Sequence, residues 1–388
     1  MRRDASGQYK VSNVSGEPVR AFIPFPLPPQ PALDLAGPRQ RLLEQTTLAL
    51  GRLDSVTLLL PDPGLFLYAY VRREAVLSSQ IEGTQSTLSD LLLFELEEAP
   101  GVPFDDVTEV SNYVAALEHG MARLREGFPL SNRLIREMHT RLLTSGRGSE
   151  KTPGEFRRTQ NWIGGTRPGN AQFVPPPPDT VEDCMAALER FIHDEAGPYP
   201  ALVKAALAHV QFETIHPFLD GNGRIGRLLV ALLLHHSGVL SQPLLYLSLY
   251  LKQYRAEYYR LLDLVRTEGN WEAWLDFFLE GVEKTAAGAV QTAQRLVALH
   301  QADAGRVRAL GRAAPSAQRV LNALRERPVT TLEVARRRAG ISFPTAAKGM
   351  NALVDLGVVR ELTGQRRNRV FVYEQYLAIL NAGTEADV

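Results

Sequence analysis

His216, Asp220, Asn222, Arg224 and Arg227 fall within one short run, His216-Pro217-Phe218-Leu219-Asp220-Gly221-Asn222-Gly223-Arg224-Ile225-Gly226-Arg227. A histidine titrates near the working pH, so it can take a proton from a hydroxyl. An aspartate offers a hard oxygen ligand to a divalent cation. Gly221 and Gly223 let the backbone come close to an anion, and Arg224 and Arg227 carry forked donors that match phosphate oxygens. Apolar residues follow at once, Leu228 to Leu234, so the run reads as a loop opening into a buried helix. The first N–H groups of such a helix point outward without partners, and its dipole favours negative charge there. The residues therefore describe an anion-binding loop with a base at its mouth.

The order of these residues narrows the reading. It resembles the motif of the Fic family: His, any residue, Phe, any residue, Asp or Glu, Gly, Asn, Gly, Arg, two of any kind, Arg. Every specified position is filled, and with ordinary residue frequencies a chance match is on the order of 10⁻⁹ per start site. The resemblance implies an adenylyltransferase (AMPylase) that moves AMP from ATP to a Tyr, Thr or Ser hydroxyl of a protein, itself included, and releases pyrophosphate. It makes His216 the base, Asp220 the Mg²⁺ ligand, and Asn222 with the Gly221 and Gly223 amides the holders of the α- and β-phosphates. Arg224 neutralises the leaving pyrophosphate, Arg227 grips the γ-phosphate, and Ile225 and Gly226 belong to the same nucleotide-binding stretch. The related Doc proteins, which transfer a phosphoryl group, carry Lys where this chain has Gly223.

Three further stretches join the resemblance. Ser78-Ser79-Gln80-Ile81-Glu82-Gly83 fits the family's inhibitory signature, in which the Glu82 carboxylate pairs with Arg227 and occupies donors that the γ-phosphate needs. Ser78, Glu82 and Gly83 are thus expected to restrain the enzyme. Gly154-Glu155-Phe156-Arg157-Arg158-Thr159-Gln160-Asn161-Trp162-Ile163-Gly164 alternates charged and apolar residues, and Pro175 to Pro178 close the segment. That composition suggests a short hairpin. In the family a β-hairpin flap at this point pairs with the target segment, which adds Asn161, Trp162, Ile163 and Gly164 to the ATP-binding residues. Tyr258 matches a family position near the adenine, although a helix-face aromatic is an equal reading. Arg266 stands where the family often has Asn.

The elements that must position these residues are mostly helical. Amphipathic periodicity covers Arg39 to Leu53, Phe66 to Gln80, Leu88 to Glu97, Thr108 to Leu124, Ser131 to Leu143, Val181 to Asp194 and Ala201 to Thr214. After the motif come Arg255 to Thr267 and Trp271 to His300, and a proline-rich lead from Pro24 to Pro38 is expected to run extended. From Ala314 the pattern is three helices, Ala317 to Glu326, Thr331 to Ala339 and Phe343 to Leu356. Two strand-like runs follow, Gly357 to Leu362 and Arg369 to Tyr373. That order resembles a winged helix-turn-helix. Its basic surplus, Arg336, Arg337, Arg338, Lys348, Arg366, Arg367 and Arg369, suits either DNA phosphates or a solvated protein-docking face.

The expected fold is mainly α: a Fic-type helical core with a β-hairpin flap, an N-terminal helical region and a C-terminal winged helix domain. The division is 1–107, 108–300 and 312–380. Lys and Arg number 43 and Asp and Glu 43, so overall charge directs the chain to neither nucleic acid nor membrane. The apolar runs are too short to span a bilayer, and Met1-Arg2-Arg3-Asp4 does not open a secretory signal. A lone Cys184 excludes an internal disulfide and fits a cytoplasmic setting. The expected ligands are ATP and Mg²⁺, and the expected partners are an unidentified protein substrate and, from the family, a second copy in a homodimer. Two other readings stay open: removal of AMP from a modified protein with Glu82 placing a water, and a DNA-binding regulator that uses the site as a nucleotide sensor.

Overall fold

The computed structural model describes residues 4–14, 16–59, 63–96, 104–365 and 367–383. The expectations attached to Met1 to Arg3, to Glu97 and to Arg366 lie outside these residues. The chain opens on an antiparallel hairpin, β1 (Gly7–Val14) and β2 (Glu17–Pro24), with Gly7 opposite Pro24 and Val14 opposite Glu17. Sequence reading missed it, though Ser15-Gly16 between two alternating runs is a hairpin signal. Residues 25–37 then run without regular helix or strand into α1 (Pro38–Leu59), which begins on proline, a residue already suited to a helix start.

Next come α2 (Pro63–Ile81), α3 (Leu88–Phe94) and α4 (Phe104–Arg125). Thr87 caps α3 by accepting from Asp90 N–H while the Asp90 carboxylate accepts from Thr87 N–H, a reciprocal capping box. In α5 (Asn132–Leu142), capped by Ser131, one face carries Leu134, Ile135, Met138, His139 and Leu142 inward. α6 (Val181–His193) leads to the central pair α7 (Ala201–Ile215) and α8 (Asn222–His236). From Leu202 to Ile215 every residue of α7 except Lys204 is buried, as befits a helix enclosed by others. Around this pair lie α9 (Ser248–Gln253), α10 (Arg255–Glu268) and the long α11 (Trp271–Arg308). The Trp274 indole donates to the Ala206 carbonyl at 2.9 Å and ties α11 to α7.

The chain continues as α12 (Ala314–Glu326), β3 (Val329–Thr331), α13 (Leu332–Ala339), α14 (Phe343–Asp355), β4 (Arg360–Glu361), β5 (Val370–Val372) and α15 (Glu374–Asn381). The strands form one antiparallel sheet in the order β3-β5-β4. Both expected strand runs are trimmed to two or three residues, and α9, β3 and α15 were not anticipated. One contiguous apolar cluster runs from Leu33 to Leu380. Each large apolar side chain in it contributes about 1.5–3 kcal/mol by leaving water. Arg327 joins the C-terminal elements to Glu95 at 2.9 Å, and Glu95 in turn holds Arg72 of α2 at 2.7 Å.

The segment expected as a β-hairpin departs from that form. Among the described residues its only ladder contact is an isolated antiparallel bridge between Ile163 and Phe173, and a 3₁₀ turn occupies Pro168–Asn170. Ile163 and Phe173 exchange backbone bonds of 2.8 and 3.1 Å, and other groups of the segment bond outside that pair. Arg157 N–H donates to the Pro217 carbonyl, and the Gln160 amide donates to the carbonyls of Asn161 and Pro175. The alternation in the sequence follows the points where this loop meets its neighbours.

Candidate active site

α7 ends at His216, which takes a left-handed conformation (φ 51°, ψ 60°) and turns the chain into the loop. Asn222 closes that loop. Its side-chain oxygen accepts from Phe218 N–H at 2.9 Å and its amide donates to the Phe218 carbonyl at 2.8 Å. The Asn222 side chain therefore braces the loop, using its oxygen and one of its two amide N–H groups. Gly221, at φ 76°, precedes the first turn of α8. Any side chain there would crowd Leu142 and His139.

Two groups outside the motif fix the loop from behind. The Arg157 guanidinium donates from Nε to the His216 carbonyl at 2.9 Å and from Nη2 to the Pro176 carbonyl at 2.5 Å. It clamps the flap loop to the end of α7. His139 accepts from Gly154 N–H at Nδ1 (2.8 Å), so its Nε2 carries the proton and donates to the Asp220 carbonyl at 2.9 Å. Its ring stacks on Phe218 with centroids 3.7 Å apart. Burial pulls His139 down to about 4, which keeps it neutral in this bridge. Arg157 was visible in the Gly-Glu-Phe-Arg-Arg phrase. His139 was not singled out, and its one signal was a histidine on the apolar stripe of an amphipathic helix.

The base candidate is neutral for the same reason. Burial pulls His216 down to about 4, and the positive charges of Arg157 and Arg266 act in the same direction. A neutral imidazole is the form that accepts a proton. Asp220 is half-buried, its Oδ1 accepting from Gly221 N–H at 2.6 Å and lying 3.4 Å from Arg224. Arg224 is buried and also pairs with Glu109 of α4 at 3.2 Å.

Arg227 is buried, with three bonds to the end of α2. It donates from Nε to Ser78 Oγ at 2.7 Å, and from Nη2 to the Ser78 carbonyl at 3.0 Å and to Glu82 Oε1 at 2.8 Å. Burial alone would push the Glu82 carboxyl up. The Arg227 charge and its hydrogen bond outweigh that and hold it below the ordinary carboxylate range. Burial opposes the Arg227 charge in turn, yet Glu82 raises its pKa well beyond the usual value. Gly83, at φ 102°, releases the chain just past Glu82. Ser78, Glu82 and Arg227 are thus one contact, about 150 residues apart in sequence.

The remaining expected residues are spread around this centre. Asn161 donates to the Phe218 carbonyl at 3.1 Å, Ile163 holds the bridge to Phe173, and Trp162 and Gly164 lie on the exposed side of the flap loop. Ile225 and Gly226 are buried in α8, and a side chain at Gly226 would strike the Glu213 carboxylate. Tyr258 is fully buried, its hydroxyl 3.0 Å from His209 Nε2. That corrects its assignment to the adenine, because the helix phase of α10 turns it into the core. The next residue, Tyr259, is 42% exposed and feels the charges of Glu82 and Arg227. Arg266 lies with its guanidinium 3.9 Å from the Phe173 ring, between the flap loop and α7.

A divalent cation fits at one place. Asp220 has a carboxylate oxygen not used by Gly221 or Arg224, and no cluster of three acidic, histidine or cysteine ligands exists among the described residues. One carboxylate with phosphate oxygens and water completing the shell is the way Mg²⁺ is commonly held beside a nucleotide.

The described core is helical, with Gly221, Gly223 and two buried arginines at the start of α8. Residues 40–122 match the family described as Fic/DOC family N-terminal, and residues 129–234 match the Fic/DOC family. The chain thus carries a Fic/DOC family N-terminal region and a Fic/DOC domain over these residues. It is 33% identical over 208 residues to the protein adenylyltransferase Fic of Drosophila grimshawi, covering 53% of this chain and 40% of that protein. The corresponding Drosophila melanogaster protein is 32% identical over 208 residues, covering 53% and 39%. The chain therefore spans about two fifths of the length of these curated relatives. A Fic family protein from Desulfovibrio desulfuricans G20 shares the fold with a TM-score of 0.57 at 20% identity, over 89% of this chain and 98% of that one. A Fic domain containing signaling protein from Bacteroides thetaiotaomicron VPI-5482 gives 0.52 at 22% identity, over 64% and 97%.

Proposed function

We propose that the protein is a self-restrained adenylyltransferase acting on a Tyr, Thr or Ser hydroxyl of a protein substrate. The observation that carries this reading is the neutral His216 at the mouth of a helix-start cradle whose Arg227 is already occupied by Glu82. In the proposed step His216 takes the proton of the target hydroxyl. The target oxygen forms a bond to the α-phosphorus of ATP, the bond from that phosphorus to the bridging oxygen breaks, and pyrophosphate leaves. The Gly223 amide and the dipole of α8 bind the phosphate oxygens, while the Gly221 amide holds Asp220 Oδ1, and Arg224 meets the charge of the leaving group. Asp220 would hold Mg²⁺, which supplies charge neutralisation on the phosphates when bound. Asn222, His139 and Arg157 keep the loop and the flap in register.

Glu82 is the restraint. While it bonds Arg227, the γ-phosphate lacks its buried cation, and ATP lies in an unproductive pose. The test is incubation of wild type, Glu82→Gly and His216→Ala with Mg²⁺ and ATP labelled at the α-phosphate. Label on protein, strongest in Glu82→Gly and absent in His216→Ala, is the expected result. Absence of label in every variant, with cell lysate present as target, overturns transfer and turns attention to AMP removal or nucleotide sensing.

A further inference from the structure

A second cavity opens between α2, α9 and α11, one helical turn from the Ser78 contact. Its lining includes Tyr70, Arg73, Glu74, Tyr246, Lys284 and Arg295. Tyr70, Arg73, Glu74 and Leu77 form a single stripe of α2, the helix that ends in the Ser78–Glu82 restraint. Three side chains here are more than nine-tenths buried, yet each keeps a polar atom without a hydrogen-bond partner: Arg73 Nε, Glu74 Oε2 and Tyr246 Oη. A buried polar atom left unpaired costs about 1–3 kcal/mol, so three beside one cavity mark a place where something polar belongs.

Charge indicates its sign. Arg73 donates only to the Ala382 carbonyl, at 3.1 Å, and Arg295 makes no hydrogen bond or ion pair among the described residues. Lys284 meets Glu280 at 3.8 Å with both side chains exposed, a pairing worth little. Lys284 also stands 5.6 Å from the ring centres of both Tyr250 and Tyr254, which line the same cavity. The acid inside is Glu74, which burial pushes up to about 7, where much of it carries a proton and can donate.

We propose that this cavity binds a small organic anion, a phosphate or a carboxylate, across Arg73, Lys284 and Arg295, and that its binding tightens the Glu82–Arg227 restraint. The direction follows from linkage. The cavity is formed in the same structure that has Glu82 on Arg227, and a ligand favours the state whose site it fills. A chain of hydroxyls connects the two places. Glu74 accepts from Ser248 and from Tyr113, the latter at 3.4 Å, the Tyr113 hydroxyl also feels Ser78, and Ser78 accepts from Arg227. The regulatory half rests on the proposed function; the binding half does not.

The test titrates inorganic phosphate and, separately, malonate into the full chain without Mg²⁺ by calorimetry. Wild type, Arg224→Gln and the double variant Lys284→Gln/Arg295→Gln are compared. One or both probes should bind wild type and Arg224→Gln alike and lose about ten-fold in affinity in the double variant. Which probe binds separates phosphate from carboxylate. Affinity lost in Arg224→Gln and kept in the double variant would assign the anion to the phosphate cradle and overturn the proposal, as would no binding of either probe. Amide hydrogen exchange at Ser78 to Gly83 reads the coupling without any transfer activity. Exchange should slow when the cavity is filled in wild type, and unchanged exchange overturns the regulatory half. If no variant transfers AMP and these readouts still appear, the proposed function fails while the anion site stands.

Discussion

A Cβ placed on Gly223 would stand 2.3 Å from Oε1 of Glu82. The two residues lie far apart in sequence, and yet the Glu82–Arg227 contact is built against this one missing side chain. The same Cβ would lie 3.0 Å from Arg227 Nη1, so the Glu82 carboxylate reaches Arg227 through space that only glycine leaves open. Gly223 has an ordinary helical backbone, with no positive φ, so alanine there costs no backbone strain and its clash falls on the ends of Glu82 and Arg227. Gly223→Ala is therefore expected to push Glu82 off Arg227 and raise AMP transfer, while keeping the amide at the helix start. In the Glu82→Gly background the same change should bring no further gain. Initial rates of the four proteins form a cycle, and independent, additive effects would show that the Glu82–Gly223 contact does not set the restraint.

The pH dependence of the base follows from its surroundings. His216 is held near 4 by burial, with Arg157 and Arg266 adding to the effect and Glu82 opposing it. A base is active when unprotonated, so activity is present above that value and lost only as pH falls through it. In Glu82→Gly, where the opposing carboxylate is gone, kcat/KM for ATP should stay flat from pH 8 down to about 5. An inflection near the ordinary histidine value of about 6.5 would mean that the buried setting of His216 opens in solution.

His139 carries a stability prediction with the same sign. Its folded value, about 4, is below the ordinary one because burial penalises the charged ring. Folding therefore favours the neutral form. The contribution is complete above about 6.5 and is lost as pH falls from there toward 4. His139→Asn should lower stability at pH 7 by about 1–3 kcal/mol, since Gly154 N–H and the Asp220 carbonyl lose buried partners. It should also flatten the decline between pH 7 and 5. Urea unfolding at several pH values checks both. Parallel curves for wild type and variant would remove His139 from the bridge.

The centre of the site was legible from spacing alone because the loop and helix start are local: His216 through Arg227 are continuous, and a contiguous run keeps its neighbours when it folds. The Ser78–Glu82 contact became readable only through resemblance, since no local rule brings α2 to α8. What stayed hidden was tertiary. Glu109 and His139 sit on helices whose periodicity says only that they face inward. The flap misled in the opposite way, because charged and apolar residues alternate there for contacts with the His216 loop and not for a ladder. Tyr258 and Tyr259 differ by one step of about 100° around α10, and sequence periodicity could not decide which of them faces Glu82 and Arg227.

Arg157 should behave as a positioning residue. Among the described residues its guanidinium bonds only carbonyls, those of His216, Pro176, Thr159 and Ile215, and burial lowers its pKa to about 10. Lysine can satisfy one or two of these acceptors but not the fork. Arg157→Lys in the Glu82→Gly background is expected to reduce kcat by about 10²-fold, the scale of a misplacement near 1 Å, with KM for ATP little changed. A loss confined to KM would place Arg157 on the nucleotide.

The C-terminal elements give the last prediction. If α12 to β5 act as a winged helix on duplex DNA, their cations must be free to meet phosphates. Three of the expected arginines are already engaged: Arg336 with Glu333 at 2.5 Å, Arg337 with Glu333 at 3.6 Å and Arg338 with Glu326 at 2.5 Å. On α14, the helix expected to enter a groove, Lys348 is exposed, as is Phe343 at 51%. Each phosphate contact lowers log affinity against log salt by about 0.9. Binding through Lys348 and the basic turn near Arg367 and Arg369 therefore predicts a shallow slope of about −3. Lys348→Gln should make it shallower by about one unit, and Arg336→Gln should leave it unchanged. Fluorescence anisotropy with a mixed-sequence duplex at graded salt reads this directly. No binding at the lowest salt would assign the face to protein docking, with the exposed Phe343 as its apolar anchor.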